Sequence, residues 1–177
     1  GKDAATLERF FDLLGDEECA KITDVSADGA PWIETVVESR CRNAKLCMDP
    51  FHVVAWATRA LDEVRRDVWN QARRQGMVAE ARELKGARFA LWKNPEDLTE
   101  RQQAKLAGIQ RTNAKLYRAY LLKEQLRQVF RLPWRAAMRL LDRWIAWALR
   151  SRLPAFVEVA RSVRRHRAGI DQALRRD

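Results

Sequence analysis

Ala20-Lys21-Ile22-Thr23-Asp24-Val25-Ser26 ends at Ala27-Asp28-Gly29, and Ala44-Lys45-Leu46-Cys47-Met48 ends at Asp49-Pro50. Each is a β-prone run stopped by turn residues, so each predicts a short strand. Between them Pro31 suits the first turn of a helix, Trp32, Ile33, Val36 and Val37 supply its buried stripe, and Asn43 ends it near a turn. Strand, helix and strand in about thirty residues make a βαβ unit, which implies parallel strands joined by a right-handed crossover. Two strands do not make a sheet on their own, so further strands are expected from elsewhere.

On the N-terminal side, Asp3 is expected to cap a helix whose apolar face is Leu7, Phe10, Phe11 and Leu14, with Gly15 closing it. Beyond Phe51 no run reads as a strand. Phe51 to about Gln75 predicts a helix buried through Val54, Ala57, Leu61, Val64 and Val68, and Gly76 marks a break. Asn94-Pro95-Glu96-Asp97 is a loop. Thr99 and Gln102 form a capping box that opens a long amphipathic pattern reaching Phe130. Pro133 and Pro154 each suit the first turn of a further helix. The expected fold is a small α/β piece followed by a helical array, predominantly helical overall.

Charge divides along the same line. The 177 residues carry a net charge of +10, yet residues 1–58 hold six basic and eleven acidic residues, whereas 59–177 hold 28 basic and 13 acidic. A basic surface suits phosphate backbones. Residues 131–177 contain twelve Arg and no Lys. Arg131, Arg135, Arg139, Arg143 and Arg150 fall on about a third of one helix circumference. Trp134, Met138, Leu141, Trp144 and Ile145 occupy the opposite arc and read as core. Arg161, Arg164, Arg165, Arg167, Arg175 and Arg176 follow. The basic arc reads either as a phosphate-binding surface, for which Arg offers bidentate geometry, or as a solvated face whose stems cover core edges.

Several classes are excluded. No run of about 18 apolar residues exists to span a membrane. Cys19, Cys41 and Cys47 are an odd number without a C-x-x-C pair, and with only His52 and His166 they do not build a structural zinc site or a disulfide framework. Phosphate-loop, dinucleotide, serine-hydrolase and zinc-protease motifs are absent.

Two acidic positions remain. Asp28 follows a strand and precedes Gly29 and a helix, at the strand edge where sites form in open α/β sheets. It reads either as a metal-holding carboxylate or as a local Asp-Gly turn. Asp49 ends the neighbouring strand and caps the next helix, with His52 in its first turn. That pair reads either as a cap with a His packed against the sheet or as a pair orienting a metal-bound group or phosphate.

Taken together, Ile22 to Gly29, Asn43-Ala44-Lys45, Asp49 to Val54, Ala60 to Arg66, Leu84-Lys85-Gly86-Ala87-Arg88 with Leu91, and Asn94 to Thr99 resemble DDE transposases of bacterial insertion sequences, most closely the ISL-three family. Trp147-Ala148, Ser151 to Phe156 and Arg164 to Ile170 match as well. The resemblance covers nearly the whole chain. It implies a ribonuclease-H-like catalytic domain carrying a helical insertion: a partial core over 1–75, the insertion over 76–150, and a helix returning toward the core over 151–177. It implies that Asp28 is the second of three metal-binding acids, served by Mg²⁺ or Mn²⁺, and that Asp49 and His52 are an accompanying Asp-x-x-His motif.

It further implies double-stranded DNA at transposon ends as the partner; on the phosphate-binding reading of the basic residues, Arg131, Arg135, Arg139, Arg143, Arg150, Arg164 and Arg165 would contact it. A homo-oligomer in the intact protein and a cytoplasmic, nucleoid-associated location in bacteria follow. The first catalytic Asp of the family would precede Gly1, and the Glu, after a Ser-Asn segment, would follow Asp177. Gly1 is not Met, and the family's zinc-finger and helix-turn-helix modules find no match. The expectation is therefore an internal segment, inactive alone. The rivals are a non-enzymatic, transposon-derived nucleic-acid-binding protein and a helical adaptor.

Overall fold

A computed structural model describes residues 3–175; Gly1 and Arg176, named above, lie outside the described residues. The elements run α1 (Ala4–Leu14), α2 (Asp16–Lys21), β1 (Asp24–Ala27), α3 (Pro31–Arg40), β2 (Lys45–Met48), α4 (Pro50–Arg74), α5 (Val78–Lys85), α6 (Arg88–Trp92), a 3₁₀ turn (Pro95–Asp97), α7 (Glu100–Thr112), α8 (Ala114–Val129), α9 (Trp134–Leu149), α10 (Pro154–Arg165) and α11 (Arg167–Leu174). The chain is predominantly helical. Among the described residues one two-stranded sheet is present, with β1 and β2 parallel and Ala27 opposite Met48. No described helix is long and apolar enough to cross a membrane.

Two apolar clusters hold these elements. The smaller joins α1, α2 and α3 through Phe11, Cys19, Val36, Val37 and Cys41, with Val25 and Leu46 of the strands against it. The larger runs from Met48 and α4 through α8, α9 and α10 to Ile170 and Leu174 of α11. Trp144 is its largest fully buried side chain and donates from Nε1 to the Leu122 carbonyl at 2.7 Å, tying α9 to α8 without leaving a buried donor unpaired.

The βαβ unit, the long helix after it, the Thr99–Gln102 capping box and the strand-free remainder form as the residues predict. Six details differ. On α4 Val53 rather than Val54 turns into the core. Ala20 and Lys21 end a short helix rather than opening the strand, because Asp16, Glu17 and Glu18 fill its first turn and Lys21 its last, matching the helix dipole; Lys21 also pairs with Glu18 at 2.6 Å. Phe10 is 54% exposed, and Phe11 is the anchor of α1. The pattern from Thr99 to Phe130 is split at Asn113, which ends α7 and caps α8 by accepting from the Leu116 amide at 3.0 Å. Pro133 is the cap of α9 rather than its first residue. The last helix breaks at His166 into α10 and α11.

A buried cationic joint sets α8 against α6. Lys123, 1% exposed, donates to the Leu91 carbonyl at 3.0 Å and pairs with Glu124. Burial pushes the Lys123 ammonium down, and the neighbouring Glu124 carboxylate opposes that.

Candidate functional site

The parallel register brings both strand ends to one edge. The Asp49 amide donates to the Ala27 carbonyl at 3.0 Å, so Asp28 and Asp49 follow paired residues and leave the sheet side by side. The exposed Asp28 accepts from the Ala30 amide through Oδ1 at 3.1 Å, an Asx turn that aims the chain into α3. Gly29 follows with φ +80°, the left-handed region that favours glycine. A Cβ there would stand 2.9 Å from Met48 Cε and 3.3 Å from His166 Cε1. The left-handed backbone conformation is what favours Gly beside Asp28, since the nearest crowding atom is the mobile end of the Met48 side chain.

Asp49 is held differently. Its Oδ1 accepts from the Phe51 amide at 2.9 Å, capping α4, and its Oδ2 lies 2.9 Å from His52 Nδ1. The His52 hydrogen bond, and after it the Phe51 amide, hold the Asp49 carboxyl below the ordinary carboxylate range. Asp49 is thus an ionised group that orients His52, while Asp28 stands open at the same edge. His166 completes the surroundings: its half-buried ring lies 5.7 Å from the Trp56 ring and against Gly29. The resemblance includes Arg164 to Ile170 and implies a return of 151–177 toward the core, but it gives His166 no role at this edge. Only the break between α10 and α11, which periodicity does not reveal, brings it to the strand edge.

Among the described residues no three His, Cys, Asp or Glu side chains gather where a metal ion could be held. Asp28 and the Asp49–His52 pair lie together at this edge without forming such a cluster.

The basic residues separate into engaged and open ones. Arg135, Arg139 and Arg143 are exposed on α9 and, among the described residues, have no ion-pair partner. Arg164 and Arg165 are likewise exposed at the end of α10. Arg131 lies before α9 begins, and its guanidinium stands 2.6 Å from Glu96 Oε1. Arg150 lies just past α9 and donates to the Ala146 carbonyl at 3.1 Å. On the inner arc Leu141, Trp144 and Ile145 are buried, while Trp134 and Met138 are half-buried.

Comparison with known proteins settles the family. A family model described as "Transposase", of the DDE type and the ISL-three group, matches residues 1–177. The chain belongs to the ISL-three family of insertion-sequence transposases. It is 56% identical to the transposase for insertion sequence element IS1557 of Mycobacterium tuberculosis, over 98% of this chain and 44% of that protein. It is 26% identical to the transposase for insertion sequence element IS1001 of Bordetella parapertussis, over 96% of this chain and 42% of that protein. The chain therefore spans less than half the length of these relatives. No solved structure matches it.

Proposed function

We propose that this chain is the segment of an ISL-three transposase that brings one metal-binding carboxylate, Asp28, to the catalytic edge of a ribonuclease-H-like sheet, beside the Asp49–His52 pair. The observation that carries this reading is the register: Asp49 donates to Ala27 across the strand pair, which leaves Asp28 open next to it. Residues 1–75 would then be part of the catalytic core, 76–150 the helical insertion and 151–177 the return to the core. Double-stranded DNA at the element ends is the substrate of the reading.

Asp28 would hold Mg²⁺ or Mn²⁺ as one ligand of a set whose other acids lie outside the described residues. Divalent metal supplies Lewis-acid activation of the attacking oxygen and stabilisation of the leaving one. The Ala30 amide fixes the Asp28 carboxylate at 3.1 Å. Asp49, kept ionised, holds His52 by its Nδ1, which would leave Nε2 as a hydrogen-bond or proton partner for a phosphate oxygen. Arg135, Arg139 and Arg143 offer three unpaired guanidinium groups to a phosphate backbone, with Arg164 and Arg165 as a second group.

The reading is tested with the 177-residue chain, element-end duplex and Mn²⁺. Duplex binding without nicking or joining is the expected result. Metal-dependent products that vanish in Asp28→Asn would contradict the inactivity of the isolated chain, and absence of any duplex affinity would contradict the DNA reading.

A further inference from the structure

The helix α4 starts at the strand edge, with Asp49 as its cap and His52 in its first turn. Its 25 residues reach about 37 Å at 1.5 Å per residue. On the helical projection His52, Trp56, Arg59, Arg66, Arg73 and Arg74 lie within about 100° of one another. Val53, Ala57, Leu61, Val64 and Val68 turn into the core instead. Along this stripe Arg59, Arg66, Arg73 and Arg74 are exposed, while His52 and Trp56 near the strand edge are half-buried, Trp56 packing against the larger cluster.

Charge is uneven along it. In the middle, Arg59 and Arg66 are offset by Glu63 and Asp67, and Arg66 pairs with Asp62 at 3.3 Å. At the far end the balance is strongly positive. A cleft of about 570 Å³ is lined there by Trp69, Arg73, Val78, Arg82 and Lys85. A second groove, about 700 Å³, shares Val78 and Arg82 and continues to Arg101 and Lys105. The acid within it, Glu83, is paired with Lys105 at 3.4 Å. Arg73, Arg74, Arg82, Lys85 and Arg101 are exposed and have no carboxylate partner among the described residues. Arg73 lies over the Trp69 ring at 4.9 Å, which holds that guanidinium at the surface.

A B-form duplex presents the same face of its backbone once per turn, every 34–36 Å or so. The span of α4 is close to that repeat. We propose that α4 is a spacer that holds duplex DNA at two places one turn apart: at the Asp28–Asp49 edge, and at a basic tip formed by Arg73, Arg74, Arg82, Lys85 and Arg101. This rests on the reading of that edge as the place where DNA is cut, and adds a second DNA-binding surface distinct from the α9 arginines.

The test uses the full 177-residue chain, random-sequence duplexes of about 14 and about 7 base pairs, and a salt titration. The longer duplex spans both places and the shorter only one. The tip variant is Arg73→Gln, Arg74→Gln, Arg82→Gln and Lys85→Gln together. The singles Arg82→Gln and Lys85→Gln serve if the fourfold variant does not fold, as judged by its circular-dichroism melt. On the longer duplex the salt slope should fall by about 0.9 for each phosphate that the variant no longer neutralises, so by about 3–4 in the fourfold variant. Shortening the duplex should weaken the wild-type chain more than tenfold and the tip variant less than threefold. Equal sensitivity to length, or an unchanged salt slope while Arg135→Gln, Arg139→Gln and Arg143→Gln weaken binding, would overturn the spacer and leave the α9 reading standing. A wild-type chain that binds neither duplex would overturn both.

Discussion

Gly169 lies so close to Met48 that a side chain on it would reach the strand backbone: a Cβ there would stand 3.3 Å from the Met48 amide nitrogen and 3.4 Å from Met48 Cβ. This close approach seats α11 directly on β2, and the same placement brings His166 against Gly29 beside Asp28. The return of the chain to the strand edge therefore depends on a residue without a side chain more than 100 positions after the strands.

That approach predicts a graded packing cost. Gly169→Val should lower stability by about 1–3 kcal/mol through overpacking, whereas for Gly169→Ala the helix-propensity gain of up to about 1 kcal/mol offsets the smaller crowding, both read from urea unfolding. A Val variant as stable as wild type would mean that α11 does not rest on β2.

The Asp49–His52 pair predicts a proton linkage. The folded Asp49 carboxyl titrates below its ordinary 3.8, so its contribution to stability is present above that value and is lost as pH falls through the lower, folded one. His52→Ala removes the largest cause, and a carbon-detected NMR titration should show the Asp49 value rising toward 3.8. An unmoved value would assign the shift to the Phe51 amide alone.

Glu96 gives a second acid-range signal. Hydrogen bonding from Arg127, then its own backbone amide, then Arg131, holds its carboxyl down at about 2. The stability that this provides is complete above about 4.5 and disappears as pH falls through about 2. The melting temperature of wild type should fall more steeply across that window than that of Glu96→Gln. Parallel curves would remove Glu96 from the joint between the 3₁₀ turn and α8.

Lys123 is the most exacting polar group in the larger core. Lys123→Met leaves the carbonyls of Leu91, Trp92 and Lys93 without their donor and Glu124 with Arg127 as its remaining cation. A drop of about 3 kcal/mol in urea unfolding is expected. A neutral result would show that water replaces the ammonium.

What the sequence disclosed follows from the range of each signal. The strands, Asp28, Asp49 and the Thr99 box were legible because turns and caps are encoded within about four residues. The split at Asn113 was not, because the apolar stripe continues across it and only the cap geometry breaks the helix. The engagement of Arg131 by Glu96 spans 35 positions, and the seat of His166 beside Gly29 spans 137, so no local pattern contains either. Arg periodicity placed Arg135, Arg139 and Arg143 on one face of α9, but Arg131 and Arg150 fall outside that helix, and periodicity could not tell open guanidinium groups from paired ones.

Asp28 is the group on which metal-dependent chemistry would rest, and a single substitution addresses it. In a full-length relative containing this segment, the Asp at this position is changed to Asn, which keeps the acceptor of the Ala30 amide and removes the charge. Strand cleavage at the element end is then measured beside end binding, in Mg²⁺ and in Mn²⁺. Cleavage is expected to fall by at least about 100-fold in both metals, the scale of removing an essential electrostatic group, while end affinity changes less than about threefold. Cleavage at the wild-type rate with binding intact would contradict the metal-ligand role and leave Asp28 as a turn residue.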